Sequence, residues 1–187
     1  LIAGVAGLAL TAVGFFLSPE QFFRSYLLGF MYWFGIAVGS MAILMIHHIA
    51  GGAWGAVIRR VLESSIGTIP LLAVLFVPIA LGTHHLYEWA YDDVVAKDPV
   101  LQAKSAYLNV PFFLVRAVFY FVVWSLVASL LRRWSLEQDR DGDPKVTLRM
   151  ELMSRGGLVL YGLTVTFAVI DWVMSLQQHW YSTLYGL

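Results

Sequence analysis

Apolar residues run along this chain in five long stretches, and charged residues fall almost wholly in the short segments between them. The stretches cover 1–17, 22–49 (with its apolar core at 26–46), 66–86, 111–131 and 156–176. Each complete stretch holds roughly 20 residues, which at about 1.5 Å rise per residue crosses a hydrocarbon core about 30 Å thick. The pattern predicts an all-α integral membrane protein, an antiparallel transmembrane helix bundle with about five spans. Ser18, Pro19 and Glu20 end the first stretch and begin the next, and Pro111 suits a first helical position. The stretch 1–17 reads as a clipped span of a longer chain, not a signal peptide, because no charged region precedes it. Residues 1–187 are expected to form a single transmembrane domain.

The connections differ in character. Within 53–64, Trp54, Val57, Ile58, Val61 and Leu62 share one helical face while Arg59, Arg60 and Glu63 lie off it, which predicts an interfacial helix. The connection 87–110 is acidic, with Glu88, Asp92, Asp93 and Asp98 against Lys97 and Lys104. The connection 132–155 holds Arg132, Arg133, Arg140, Lys145, Arg149 and Arg155. Basic residues thus concentrate after the second and fourth stretches, so those connections are expected on the cytoplasmic side and 87–110 outside. The expected location is a bacterial inner membrane, crossed several times.

Composition sharpens the class. Apolar residues make up 59% and charged residues 13%, the net charge is zero, and mean hydropathy is +0.73. A soluble domain carries about a quarter charged residues. Zero net charge gives no nucleic-acid signature. The absence of cysteine excludes thiolate-held iron–sulfur clusters, covalent haem c attachment and disulfides within these residues.

Polar groups at membrane depth are the candidates for chemistry. Asp171 lies five residues before the end of its stretch, about 7.5 Å deep by helical rise. Arg116 lies at similar depth in the stretch before it, and His84, His85 and Glu88 end the stretch before that. An acid, a base and two imidazoles on one side of the membrane suggest a proton path. The plainer reading is an ion pair pinning two helices, with the histidines solvated. Thr164, two turns before Asp171, extends the polar track or simply bonds its own helix carbonyl. On the opposite side, His47 and His48 end the second stretch, either as a polar entry for a proton or quinone headgroup or as interfacial histidines. Trp33, Ser40 and His47 recur at heptad spacing, and Gly35 and Gly39 form a small patch for close helix approach. The two His–His pairs lie about 30 Å apart, too far for one haem to bridge. Without thiolates or a His-x-x-x-His helix, no metal site is expected. Trp89, Tyr91, Trp134, Trp172, Trp180, Tyr181 and Tyr185 fall near stretch ends and read as interfacial anchors.

The segment 21–34, Gln-Phe-Phe-Arg-Ser-Tyr-Leu-Leu-Gly-Phe-Met-Tyr-Trp-Phe, runs on through Gly39 to His47-His48-Ile-Ala-Gly-Gly-Ala-Trp54. With 104–116, Lys-Ser-Ala-Tyr-Leu-Asn-Val-Pro-Phe-Phe-Leu-Val-Arg, and Ile170-Asp171-Trp-Val-Met-Ser-Leu before His179-Trp-Tyr-Ser182, it resembles the F subunit of bacterial alternative complex III. The resemblance covers nearly the whole chain. It places the protein among polysulfide-reductase-like, NrfD-type membrane subunits and implies about ten helices, of which these would be the first half. It implies a subunit of a respiratory or photosynthetic quinol:cytochrome c (or other acceptor) oxidoreductase. The implied partners are an NrfD-like C subunit, an iron–sulfur subunit, multihaem cytochrome c subunits and lipid. Haem c and iron–sulfur clusters would sit on those partners, leaving this chain without a redox centre, although quinone contact stays open. The family carries a suggested part in proton translocation, and Asp171, Arg116, His84 and His85 match its polar positions. A proton-coupled transporter and a purely structural scaffold are the alternatives. Pro70 and Pro78 are the nearest approach to the broken helices that transporters show.

Overall fold

The computed structural model describes residues 7, 13–180 and 182, and helices are the regular elements among them. Four helical segments are long and apolar enough to cross a membrane: Pro19–Ala50, Arg59–Leu81, Val110–Arg140 and Pro144–Leu176. The expected first span, 1–17, lies largely outside the described residues, as do Tyr181 and Tyr185. Consecutive spans run antiparallel, giving the multi-pass helical bundle that the apolar pattern requires.

Helix α1 is Pro19–Ala50. The next span is segmented into α2 (Arg59–Ile66), α3 (Ile69–Leu75) and α4 (Val77–Leu81). Pro70 and Pro78 cause the segmentation. Each sits in the first turn of its segment, where a missing N–H removes no helical bond. A short α5 (Thr83–Leu86), a 3-10 turn (Glu88–Ala90), α6 (Asp92–Val95) and α7 (Pro99–Lys104) fill the acidic connection. Helix α8 is Val110–Asp141, and α9 is Pro144–Trp172, followed by a 3-10 turn at Met174–Leu176.

Two connections differ from the sequence reading. The segment 132–155 is almost entirely helix, because α8 and α9 both continue past their apolar stretches. Hydropathy marks only the lipid-immersed part of a helix; the backbone ladder continues wherever capping permits. Here Gly142 takes the left-handed conformation (φ 61°), the Asp143 side chain caps the Lys145 N–H, and Pro144 opens α9. The segment 53–64 is not a separate interfacial helix. Residues 53–58 form turns, and Arg59 starts the next span directly. Trp54, Val57 and Val61 do face outward, but Leu62 and Glu63 are buried against the bundle.

The core is aromatic and centres on Trp172, which is fully buried and does not act as an interfacial anchor. Its indole meets Phe34 of α1 (5.1 Å between ring centroids), Phe76 (4.7 Å), and Phe121 of α8, stacked at 5.6 Å. One side chain from α9 therefore touches all three other spans. Trp89 is buried as well, while Tyr91 and Trp180 stay exposed. Gly35 and Gly39 receive no close helix among the described residues, since a Cβ at either would meet nothing within 4 Å. Gly82 does mark a close approach. A Cβ there would come within 2.2 Å of the buried Phe23 ring, which also carries the His85 imidazole stacked at 5.0 Å. Gly82→Ala is expected to destabilise the bundle by about 1–3 kcal/mol through overpacking. Thermal unfolding in detergent, with Gly35→Ala as the neutral control, measures it.

Candidate functional site: a buried arginine–aspartate pair

Residues of α8 and α9 meet across their interface at Asp171, which is fully buried. Arg116 grips its carboxylate with both arms of the guanidinium fork. Nε donates to Oδ2 at 2.8 Å and Nη2 donates to Oδ1 at 2.9 Å. The Tyr120 hydroxyl donates to Oδ2 at 2.9 Å. Arg116 also donates from Nη1 to the Tyr107 carbonyl at 2.9 Å, and its guanidinium lies over the rings of Tyr107 (3.9 Å) and Phe112 (4.3 Å). Two aromatic faces and three acceptor contacts hold the cation in place. The Ser175 hydroxyl donates to the Asp171 carbonyl, and the Tyr87 hydroxyl donates to the Trp172 carbonyl at 2.9 Å.

The local sequence explains the placement. Asn109 caps α8 by accepting from the Phe112 N–H at 3.0 Å, and Arg116 follows two turns into the helix. Tyr120 and Trp124 then fall at four-residue steps on the same face. Charge is balanced locally. Burial, with the Asp171 carboxylate adding to it, pushes the Tyr87 and Tyr107 phenols above their ordinary range, so both stay neutral beside the pair. The Tyr107 hydroxyl is buried beside the same carboxylate and the Tyr120 hydroxyl.

The other residues singled out on this side are placed elsewhere. His84, His85 and Glu88 are exposed. His84 packs edge-on to Tyr91 at 5.3 Å, and His85 lies on Phe23. Among the described residues no hydrogen bond or ion pair joins them to Asp171. Thr164 accepts from the Trp124 indole N–H at 2.8 Å and donates back to the Leu160 carbonyl at 2.8 Å. Its hydroxyl therefore holds α8 to α9 one layer further in. Tyr120 and Trp124 stack at 5.8 Å between the two layers. The signal for Tyr120, a tyrosine four residues from Arg116, was visible in the sequence. Its partnership with Asp171 was not.

A second polar cluster closes the opposite end of the bundle. Arg59 donates to Glu63 at 2.9 Å, Arg60 pairs with Glu63 and Asp139, and Ser135 of α8 donates to Glu63. Glu63 and Ser135 are buried, so this knot ties α2 to α8. Sequence reading put Arg59, Arg60 and Glu63 off the apolar face of an interfacial helix. The i,i+4 spacing of Arg59 and Glu63 was the available clue. His47 and His48 lie nearby at the end of α1. Their rings are 5.7 Å apart, and Trp54 packs edge-on to His47 at 5.3 Å. The turn after α1 folds over His47 so closely that a Cβ on Gly55 would sit 2.4 Å from its Nδ1. Ser40 bonds its own helix at the Ile36 carbonyl, and Trp33 faces outward, so the heptad stripe is not a continuous polar track.

On the Asp171 side, the segment beyond α9 is tied back to α7. Lys104 Nζ donates to the Gln178 carbonyl at 2.6 Å, and His179 lies 2.9 Å from Asp98. The Val100 N–H, capped by Asp98 at 2.8 Å, holds that carboxyl below its usual range, and His179 adds to the effect.

Fold and site together define a multi-pass, all-α membrane protein pinned by buried ion pairs at both ends. Compared with known proteins, the chain matches no family model and no curated sequence.

Proposed function

We propose that this chain is a scaffolding membrane subunit of a quinol:electron-acceptor oxidoreductase, with its Arg116–Asp171 layer on the outer side of a bacterial inner membrane. The resemblance of 21–54, 104–116 and 170–182 to the F subunit of alternative complex III supports the assignment. The observation that carries the scaffold role is the saturated pair itself. Asp171 accepts three side-chain hydrogen bonds, all from α8, including both arms of Arg116, so its carboxylate is taken up in joining α8 to α9. Buried charge here serves interhelical contact. Haem c and iron–sulfur clusters belong to partner subunits in this reading, and a quinone is reached on those partners or at their boundary with this chain.

One observation favours a second role. The buried Tyr107 hydroxyl lies beside Asp171 and Tyr120, so a second exchangeable proton stands beside the pair. A proton path through Tyr120, Asp171 and Tyr107 would use it.

The test is Asp171→Asn in the full-length protein, within its native complex in sealed vesicles. Quinol oxidation and proton release are measured together. The scaffold reading expects the wild-type chain to co-purify with haem- and cluster-bearing subunits, and the variant to keep its protons-per-quinol ratio wherever it assembles. A lowered ratio at undiminished quinol oxidation would establish the proton path. Purification of the chain alone, with proton-coupled uptake of a solute, would replace both readings with a transporter.

A further inference from the structure

The span Arg59–Leu81 is broken at Phe76, between α3 and α4. A break at hydrocarbon depth leaves carbonyls of the first segment without the N–H groups that a continuous helix supplies. Such backbone is tolerated where protein groups replace the lost bonds or where it lines a cavity. The two sides of this break differ. Toward α1, the Leu75 carbonyl accepts from the Tyr26 hydroxyl at 2.7 Å. Toward α8, the Ala73 carbonyl has no such replacement among the described residues. Its partner in an unbroken helix is the N–H four residues on, that of Val77. Ala73 and Val77 both line a cavity of about 510 Å³ between α3–α4 and α8. Ser125 lines it from the α8 side, within the apolar stretch 111–131. In the other spans Ser40, Thr164 and Thr166 bond carbonyls of their own helices, the usual resort of a hydroxyl in hydrocarbon. The Ser125 hydroxyl makes no such bond among the described residues. The rest of the lining is apolar. Phe76 and Phe121, with rings 5.4 Å apart, form a buried aromatic floor, and Val77 and Val118 at the rim are exposed to the membrane.

We infer that this cavity takes the ring of a quinol, with the Ala73 carbonyl and the Ser125 hydroxyl meeting its two oxygens. A carbonyl only accepts, so it selects a ring that carries a hydroxyl; the Ser125 hydroxyl donates to the oxygen at the other end of the ring. An acyl chain fills the same volume but satisfies neither group. The reduced form therefore binds better than the quinone, which has no proton for Ala73. The aromatic floor suits a flat ring, and the membrane-facing rim lets an apolar tail leave into the hydrocarbon. The supply of quinol rests on the oxidoreductase reading above, whereas the fit rests on the break at Phe76.

The test uses the full-length chain, in whatever assembly it purifies with. Decylubiquinol carrying a diazirine on its tail is photolysed with the protein, and labelled peptides are read by mass spectrometry. Label is expected within 70–80 and 114–125, which bound the cavity. Unlabelled decylubiquinol should displace it at least about tenfold more effectively than dodecylbenzene, a ring and chain without oxygens. Ser125→Ala should weaken binding about fivefold, the worth of one hydrogen bond, and Ser125→Thr should preserve it. Pro78→Ala supplies the missing N–H and lets the helix close on the Ala73 carbonyl. It should weaken binding by a similar factor although Pro78 does not line the cavity. Equal displacement by dodecylbenzene marks an acyl-chain groove and overturns the inference. So does label confined to other peptides, or unchanged affinity in both Ser125→Ala and Pro78→Ala. Absence of label in a chain that still co-purifies with haem- and cluster-bearing subunits overturns this inference alone. Label in a chain that purifies by itself keeps the site and removes the subunit reading.

Discussion

Replacing Arg116 with leucine is expected to lower stability by about 3–5 kcal/mol, the range for stripping one partner from a buried ion pair. Asp171 is completely buried, and loss of the guanidinium removes two of its three donors at once. Tyr120 alone cannot satisfy a buried carboxylate, so an unpaired charge is left at the α8–α9 interface. Arg116→Lys should fall between the two. It keeps the positive charge but not the fork, and an ammonium cannot contact both carboxylate oxygens and the Tyr107 carbonyl in the same geometry. Asp171→Leu leaves the cation between Tyr107 and Phe112 without a counter-charge and should be as severe. Reversible unfolding from mild detergent into dodecyl sulfate, followed by far-ultraviolet circular dichroism, measures each change.

Trp172→Ala is expected to have the second large effect, and for a different reason. The indole is buried among Phe30, Phe34, Phe76, Tyr120, Phe121 and Trp124, drawn from three other spans. Truncating a buried aromatic residue costs about 3–5 kcal/mol in water-soluble proteins. In a membrane the lipid is as apolar as the core, so the transfer contribution shrinks and the cavity and lost packing remain. The effect should lie near 3 kcal/mol, the lower end of that range. Trp172→Phe, which refills most of the space, should recover over half of it. Among the described residues the indole N–H has no partner, so no hydrogen bond to them is lost with it. The two variants should also fail differently. Loss of Arg116 loosens α8 from α9, whereas loss of Trp172 loosens α9 from every other span. Hydrogen exchange along α1 separates the cases: it should rise in Trp172→Ala and stay near wild type in Arg116→Leu.

Hydropathy made the spans legible because lipid imposes one length on every crossing helix. It could not show where helices stop, since α8 and α9 continue in water under the control of Gly142, Asp143 and Pro144. The pairing of Arg116 with Asp171 was foreseeable from matching depth on antiparallel neighbours. Depth alone did not separate those two from His84 and His85, which share the layer but face away from the pair. Rotation about a helix axis decides such contacts, and in a chain apolar on every face the sequence carries little information about rotation. Trp172 shows the same limit. Next to Asp171 and near a stretch end, it reads as an interfacial anchor, yet one step of 100° around α9 turns it into the core. Glu63 was misplaced for a related reason. Its partner Ser135, and the Asp139 that shares its arginines, lie on a part of α8 that the apolar pattern assigned to a loop.

Arg116 and Asp171 act as one interhelical unit, and a double-mutant cycle measures their coupling. Arg116→Leu, Asp171→Leu and the double variant would be unfolded under identical conditions. If the pair is the pin, each single change is severe and the double is much milder than their sum, with a coupling of about 2–3 kcal/mol. Additive losses in the double variant would contradict it, and would mean that the two side chains stabilise the bundle independently.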